Sequence, residues 1–150
     1  MTLALRPAAL GLALAFACGS ALAQATPAGL WKTVDDSTKK EKSLVRIVES
    51  GGVYTGKVEK VIDPDAPKDA VCKDCTDDRK DKPVVGMTII RNMKASGDKD
   101  VFEGGDILDP NNGKVYSAKL TLVEGGKKLD VRGYIGTPLL GRTQTWQRVE

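Results

Sequence analysis

Two cysteines three positions apart are the residues of this sequence best suited to chemistry. Cys72 and Cys75 lie in the segment AVCKDCTDD, surrounded by acidic and basic residues. Cysteines at this spacing serve as metal ligands, as a redox pair or as a structural disulfide. The choice among the three depends on the compartment that the chain reaches and on the other residues available to help.

The rest of the sequence favours a disulfide. A structural zinc site takes four ligands, usually Cys or His, and the sequence contains no histidine and a single further cysteine, Cys18. A redox pair needs a lowered thiol pKa, whereas the aspartates around Cys72 and Cys75 would raise it. We therefore predict a local disulfide that ties a long loop, worth roughly 2 kcal/mol. A redox pair and a metal site are the alternatives.

Residues 1–23 are typical of an export signal. A single basic residue, Arg6, precedes an apolar Ala/Leu run, and small residues occupy the −3 and −1 positions at Ala21 and Ala23. This pattern predicts a Sec-type signal peptide cleaved after Ala23, and the apolar run is too short for a membrane span of about 20 residues. The alternatives are a buried N-terminal helix and lipidation at Cys18. We expect a periplasmic or secreted mature chain over 24–150, without a transmembrane span, in which a disulfide can form.

Composition argues against several classes of function. Charges of both signs are interleaved and the net charge is +3, so no basic stripe indicates nucleic-acid binding. Without histidine, no serine has the usual base for acyl transfer. Paired aspartates fall in turns, where such residues commonly cap the backbone. We predict no catalytic residues, no metal and no cofactor, and hence a protein that is not an enzyme.

Alternating apolar and polar residues predict an all-β fold with eight strands. The predicted strands are 29–34, 43–49, 53–62, 84–90, 101–108, 115–122, 129–135 and 142–149. Short hairpin-like connections join most of them, and the exception is the cysteine loop, residues 63–83, after the third strand. Sequential hairpins favour a single antiparallel up-and-down barrel, in which closure removes exposed edges. A β-sandwich is the alternative.

A Gly-x-Trp motif in the first strand, Gly29-Leu30-Trp31, is similar to the arrangement in lipocalin-like barrels. There the tryptophan packs at the closed end beneath an arginine from the last strand. The candidates here are Arg142 and Arg148. The antiparallel geometry of the first and last strands favours Arg148, which would make a cation–π contact of about 0.5–2 kcal/mol.

Longer segments resemble a bacterial envelope family catalogued as domain of unknown function 2147. They include GLWKTVDD, SLVRIVE, KPVVGMTII, GGDILDPNNGKVY and LDVRGYIGTPLLGRTQTWQRV, and together they span nearly the whole mature chain. The resemblance implies export and a small lipocalin-like barrel. It brings no established reaction, so no catalytic residue can be transferred to this chain.

The inward faces of the predicted strands are apolar, with small residues at Gly56, Gly104, Ala118 and Gly133. An eight-stranded barrel is either filled by side chains or holds one small ligand. We expect a cavity for a small apolar or amphiphilic molecule, such as a lipid. The lining residues expected are Tyr54, Val58, Met87, Phe102, Tyr116, Ala118 and Leu120, with Leu139 and Leu140 at the opening. The alternative is a structural or protein-interaction module of the envelope with a filled core.

Overall fold

Eight antiparallel strands close into one barrel in sequential order. The computed structural model describes residues 25–150, so the predicted signal peptide and Cys18 lie outside the described residues. The strands are β1 (Gly29–Val34), β2 (Glu41–Ser50), β3 (Val53–Val61), β4 (Thr88–Ala95), β5 (Val101–Asp109), β6 (Lys114–Val123), β7 (Lys128–Tyr134) and β8 (Arg142–Arg148). The all-β barrel predicted from the alternating pattern is confirmed.

The two ends of the barrel differ. At the closed end lie residues 25–28, the C-terminal residues 149–150 and the tight β2–β3, β4–β5 and β6–β7 connections. At the other end, here called the mouth, lie four connections: residues 35–40, 62–87, 110–113 and 135–141. The mouth therefore carries the longest loop of the barrel, and loops on a rigid scaffold are where binding residues concentrate.

Trp31 and Arg148 form the centre of the closed end. Trp31 is completely buried, and the Arg148 guanidinium lies 4.2 Å from the centroid of its ring. The guanidinium also donates to the carbonyl oxygens of Thr26 (2.6 Å), Ala28 (2.8 Å) and Gly126 (2.6 Å). Arg148 thus ties residues 26–28 and the β6–β7 turn across the Trp31 ring, and the other candidate, Arg142, lies at the mouth.

The fourth strand begins later than the sequence pattern predicts. The apolar run 84–90 was expected to form it, but β4 is Thr88–Ala95. Residues 84–87 form a turn instead: Met87 N–H donates to Val84 O, and Gly86 has a φ of +88°. Within β4 the alternation is broken, because three steps from Ile90 to Met93 oppose two steps of β3, with Asn92 in the left-handed region. A period of two cannot locate a strand that contains such a bulge.

A second bulge lies in β5. Gly104, predicted to point inward, is exposed and has a φ of +85°, and Gly105 takes the inward place opposite Ala118. A side chain at Gly105 would meet the Arg91 backbone and the Met93 sulfur. The two glycines therefore bend β5 and let β4 approach it closely.

The predicted disulfide between Cys72 and Cys75 is confirmed, and it lies in the loop after β3. Both cysteines are buried. The loop is anchored by Arg79, whose guanidinium donates to Thr88 O (2.9 Å) and pairs with Asp77 (2.6 Å). Hydrogen bonds from the Arg79 side chain hold the pKa of Asp77 at about 2. The loop is therefore packed against the barrel and held there by specific contacts.

Replacing both cysteines with alanine is expected to lower the free energy of unfolding by about 2 kcal/mol, because the unfolded chain regains the freedom of the short closed loop. The barrel should persist, since its strands pair without help from the disulfide. Denaturant unfolding with far-ultraviolet circular dichroism measures both quantities, with the reduced wild-type protein as the control. Loss of the β-sheet spectrum in water would contradict this expectation.

Candidate ligand-binding cavity

A cavity of about 500 Å³ lies in the mouth half of the barrel. This volume falls within the range of about 300–1,000 Å³ typical of small-molecule sites. Its base is apolar and is formed by inward side chains from five strands: Val45, Val58, Ile107, Val131 and Trp146. Trp146 lines this base and is otherwise buried, with 2 % exposure, so a bound molecule that reaches the base would lie against its indole.

A belt of polar side chains lies above this base. It comprises Thr33, Ser43 and Gln144, each of which lines the cavity. Each is two residues from a buried inward side chain, namely Trp31, Val45 and Trp146, so the alternation of the strands already places it inward. The belt was not predicted, because only the apolar positions of the strands were followed. Gln144 accepts a hydrogen bond from Trp146 Nε1 (3.0 Å), and Thr33 accepts one from the Ser43 backbone N–H (3.0 Å).

Two ion pairs mark the rim. Lys42 Nζ lies 2.5 Å from Asp63, and the Arg142 guanidinium lies 2.7 Å from Asp36. The hydrogen bond from Lys42 lowers the pKa of Asp63, and the hydrogen bond to Asp36 raises the pKa of Arg142. The second pair joins the β1–β2 connection to the start of β8. The matched residues of β1 and β8 are 31–32 and 147–148. The ion pair therefore links these two strands at the mouth side of the matched residues.

A further carboxylate at the rim, that of Asp35, accepts hydrogen bonds from the backbone. Asp35 accepts hydrogen bonds from the Thr38 backbone N–H (2.6 Å) and hydroxyl (2.8 Å) and from the Ser37 N–H (3.1 Å). The bond from the Thr38 backbone is the main cause of its lowered pKa. Asp35 is thus ionised near neutral pH and shapes the β1–β2 connection.

The cavity is nearer the mouth than the sequence pattern predicts. Of the seven expected lining residues, Val58 and Tyr116 line it. The other five do not, and they are buried elsewhere in the core: Tyr54, Met87, Phe102, Ala118 and Leu120. Tyr54 and Phe102 pack edge to face with ring centroids 5.0 Å apart. This pair helps to fill the closed half of the barrel.

A small inward residue leaves no empty space where a side chain from the neighbouring strand occupies the room beside it. A Cβ at Gly56 would lie 3.0 Å from the side chain of Ile90, and one at Gly105 would lie 2.7 Å from Met93 Sδ. Ile90 and Met93 occupy the room that these glycines vacate. Gly133 is different, because it lines the open part of the cavity, and a Cβ added there would make only ordinary contacts, at 3.4 Å or more.

Leu139 and Leu140, expected at the opening, lie in the β7–β8 connection at the mouth. A short 3₁₀ turn, Pro138–Leu140, presents both side chains. Leu140 lines the cavity and Leu139 does not. Both are largely exposed, as is the nearby Ile135.

The part of the chain that the structure describes has no group of three or more Cys, Asp or Glu side chains that could hold a metal ion. Within residues 25–150, no helix is long and apolar enough to cross a membrane.

Comparison with known proteins agrees with this architecture. A solved structure described as "Protein HP1028 from the human pathogen Helicobacter pylori belongs to the lipocalin family" superposes with a TM-score of 0.71 over 84 % of each chain, at 20 % sequence identity. At this identity the likeness concerns the fold alone. No curated protein matches the sequence. The sequence profile of the family "Uncharacterized protein conserved in bacteria (DUF2147)" matches residues 29–148. The resemblance noted in the sequence is thereby confirmed, and the chain belongs to this bacterial family.

Proposed function

We propose that this protein binds a small amphiphilic molecule, such as a lipid or a lipid fragment, non-covalently in the mouth half of its barrel. The observation that carries the proposal is the cavity of about 500 Å³, with an apolar base and a polar belt and rim. The apolar part of the ligand would lie against Val131 and Trp146. Its polar part would lie among the side chains of the belt and the ion pairs of the rim.

The side chains at this site are better suited to binding a ligand than to catalysis. The carboxylates of Asp36 and Asp63 are engaged in ion pairs and that of Asp35 in backbone hydrogen bonds. The sequence supplies no histidine to act as a base. We propose further that the protein works outside the cytoplasm after export, since a disulfide is typical of oxidising compartments.

Trp146 makes the proposal testable without a labelled ligand. Titration with a medium-chain fatty acid, the matching amine and the matching alkyl glucoside, each below its micelle concentration, should change the intrinsic fluorescence in a saturable way. The comparison of head groups identifies the preferred charge. Trp146→Phe should abolish the signal, whereas Trp31→Phe should retain it, because Trp31 lies at the closed end away from the cavity.

Absence of saturable binding for all three amphiphiles, checked by calorimetry, would contradict the proposal. The better hypothesis would then be a structural or protein-interaction module, in which the exposed side chains at the mouth are the working surface.

A further inference from the structure

The β7–β8 connection, residues 135–141 and here called the mouth loop, carries the three most exposed large hydrophobic side chains of the part of the chain that the structure describes. Leu139 is 89 % exposed, Leu140 80 % and Ile135 67 %. Large exposed apolar groups that cluster on one segment commonly mark an interaction site. The mouth loop is therefore a candidate docking surface.

The exposure is built into the backbone. Arg132 holds the loop from β7, donating to Pro138 O (2.5 Å) and to the Thr143 hydroxyl (2.7 Å). Leu140 N–H donates to Thr137 O (3.1 Å). A side chain at Gly141 would lie 2.6 Å from Gly133 O, so the loop can follow β7 this closely only with glycine there. A loop held in this way presents its leucines at little entropic cost on binding.

The apolar surface of the mouth loop is continuous with the cavity. Ile135 and Leu140 both line the cavity and are exposed to solvent, so the apolar surface of the loop reaches the opening of the cavity. A partner seated on the loop would therefore cover the opening through which a ligand passes.

Size and charge favour a lipid surface over a protein. Three aliphatic side chains offer far less than the roughly 800 Å² per partner of a standard protein interface, whereas insertion into a lipid surface requires no matching shape. The cationic side chains that line the cavity, Lys42 and Arg142, are each paired with a carboxylate. The rim carries Asp35 and Asp109 in addition. This balance gives no attraction to anionic head groups and fits an uncharged or zwitterionic surface.

We propose that the mouth loop docks the barrel reversibly on a zwitterionic lipid surface, with Leu139 and Leu140 inserted, so that ligand passes between the lipid and the cavity without crossing water. The docking rests on the loop alone, and the transfer of ligand rests also on the proposed function.

Leu139 is the residue to test, because it is the most exposed and does not line the cavity. In Leu139→Trp, the indole should shift to shorter emission wavelengths on titration with phosphatidylcholine vesicles, after subtraction of the wild-type signal from the buried Trp31 and Trp146. Val48→Trp is the matched control: Val48 is 52 % exposed on β2 near the closed end, and its indole should not shift. An equal shift in both variants, or a shift only with anionic vesicles that salt abolishes, would overturn the proposal.

Transfer kinetics separate docking from binding. A fluorescent fatty acid loaded into the barrel should leave for phosphatidylcholine vesicles at a rate that rises with vesicle concentration. Leu139→Ser should slow this transfer at least about fivefold while leaving the affinity measured without vesicles unchanged, and Val48→Ser should change neither. A transfer rate independent of vesicle concentration would overturn the docking and leave the proposed function standing.

The two hypotheses fail in different ways. If the fatty acid does not bind without vesicles but Leu139→Trp shifts on vesicles, the proposed function fails and the docking surface stands. If the fatty acid binds and Leu139→Trp shows no response to vesicles, the docking proposal is wrong, and a protein partner becomes the better occupant of the mouth loop.

Discussion

Trp31→Ala is expected to lower the free energy of unfolding by about 3–5 kcal/mol, as large-to-small changes in packed cores do. The indole is completely buried, and its Nε1 donates to Pro27 O at 2.8 Å. Its removal opens a hole in the filled half of the barrel. It also removes the ring on which Arg148 lies. Three carbonyl oxygens still hold the guanidinium in place, so Arg148 cannot move to fill the cavity that the substitution leaves.

Trp146→Ala is the matched control, because it removes the same side chain from the base of the cavity, where one side already borders open space. Fewer atoms lose contact partners there, so its cost should be smaller. Urea unfolding of the two variants gives the comparison directly. If Trp31→Ala lowers the free energy of unfolding by no more than Trp146→Ala does, the closed end is not more tightly packed than the base of the cavity.

Gly133→Phe is expected to block the cavity and to weaken amphiphile binding at least about 100-fold, equivalent to about 2.8 kcal/mol. Gly133 lines the cavity opposite Tyr116 and Ile107, and a Cβ there meets no atom closer than 3.4 Å. A phenyl group can therefore extend into the open space without displacing the strands. Gly133→Ala should bind almost normally, which gives a graded series at one position.

Ser117→Phe provides the control for adding a ring to the barrel. Ser117 neighbours Ala118 on β6 and faces solvent, next to Tyr134 on β7. Its phenyl group should leave both binding and the circular dichroism spectrum unchanged. Retention of saturable binding by Gly133→Phe, measured by calorimetry with a medium-chain fatty acid, would place the ligand elsewhere.

The fold was predictable because most strands obey a simple alternation and are joined in order. The resemblance to lipocalin-like barrels implied that an arginine of the last strand lies on Trp31, and the antiparallel direction of the first and last strands then selected Arg148. The cysteine loop was predictable from its length and composition. β4 was misplaced because its bulge at Asn92 breaks the alternation and because Val84 and Val85 belong to a turn. Bulges depend on how two strands fit together, which the sequence of one strand does not reveal.

The position of the cavity was less predictable, for a reason of packing. Whether a small residue leaves a space depends on which side chain reaches it from across the barrel. Gly56 is filled by Ile90, whereas Gly133 borders open space. The polar belt could have been predicted from the sequence, since Ser43 and Gln144 follow the same alternation as Val45 and Trp146. The ion pair of Arg142 with Asp36 joins residues 106 positions apart and follows from no local pattern.

The pairing of β1 with β8 has a consequence for the order of folding. Every other pairing in the barrel joins consecutive strands, so hairpins can form as the chain grows. Closure must wait for β8 and residues 149–150, because the bond from Arg148 to Ala28 O spans 120 positions and Leu30 pairs with Glu150. Non-local pairing of this kind slows folding to the millisecond-to-second range. Until it is complete, β1 and β8 present unpaired edges that can join other chains, so this seam exposes the nascent protein to aggregation.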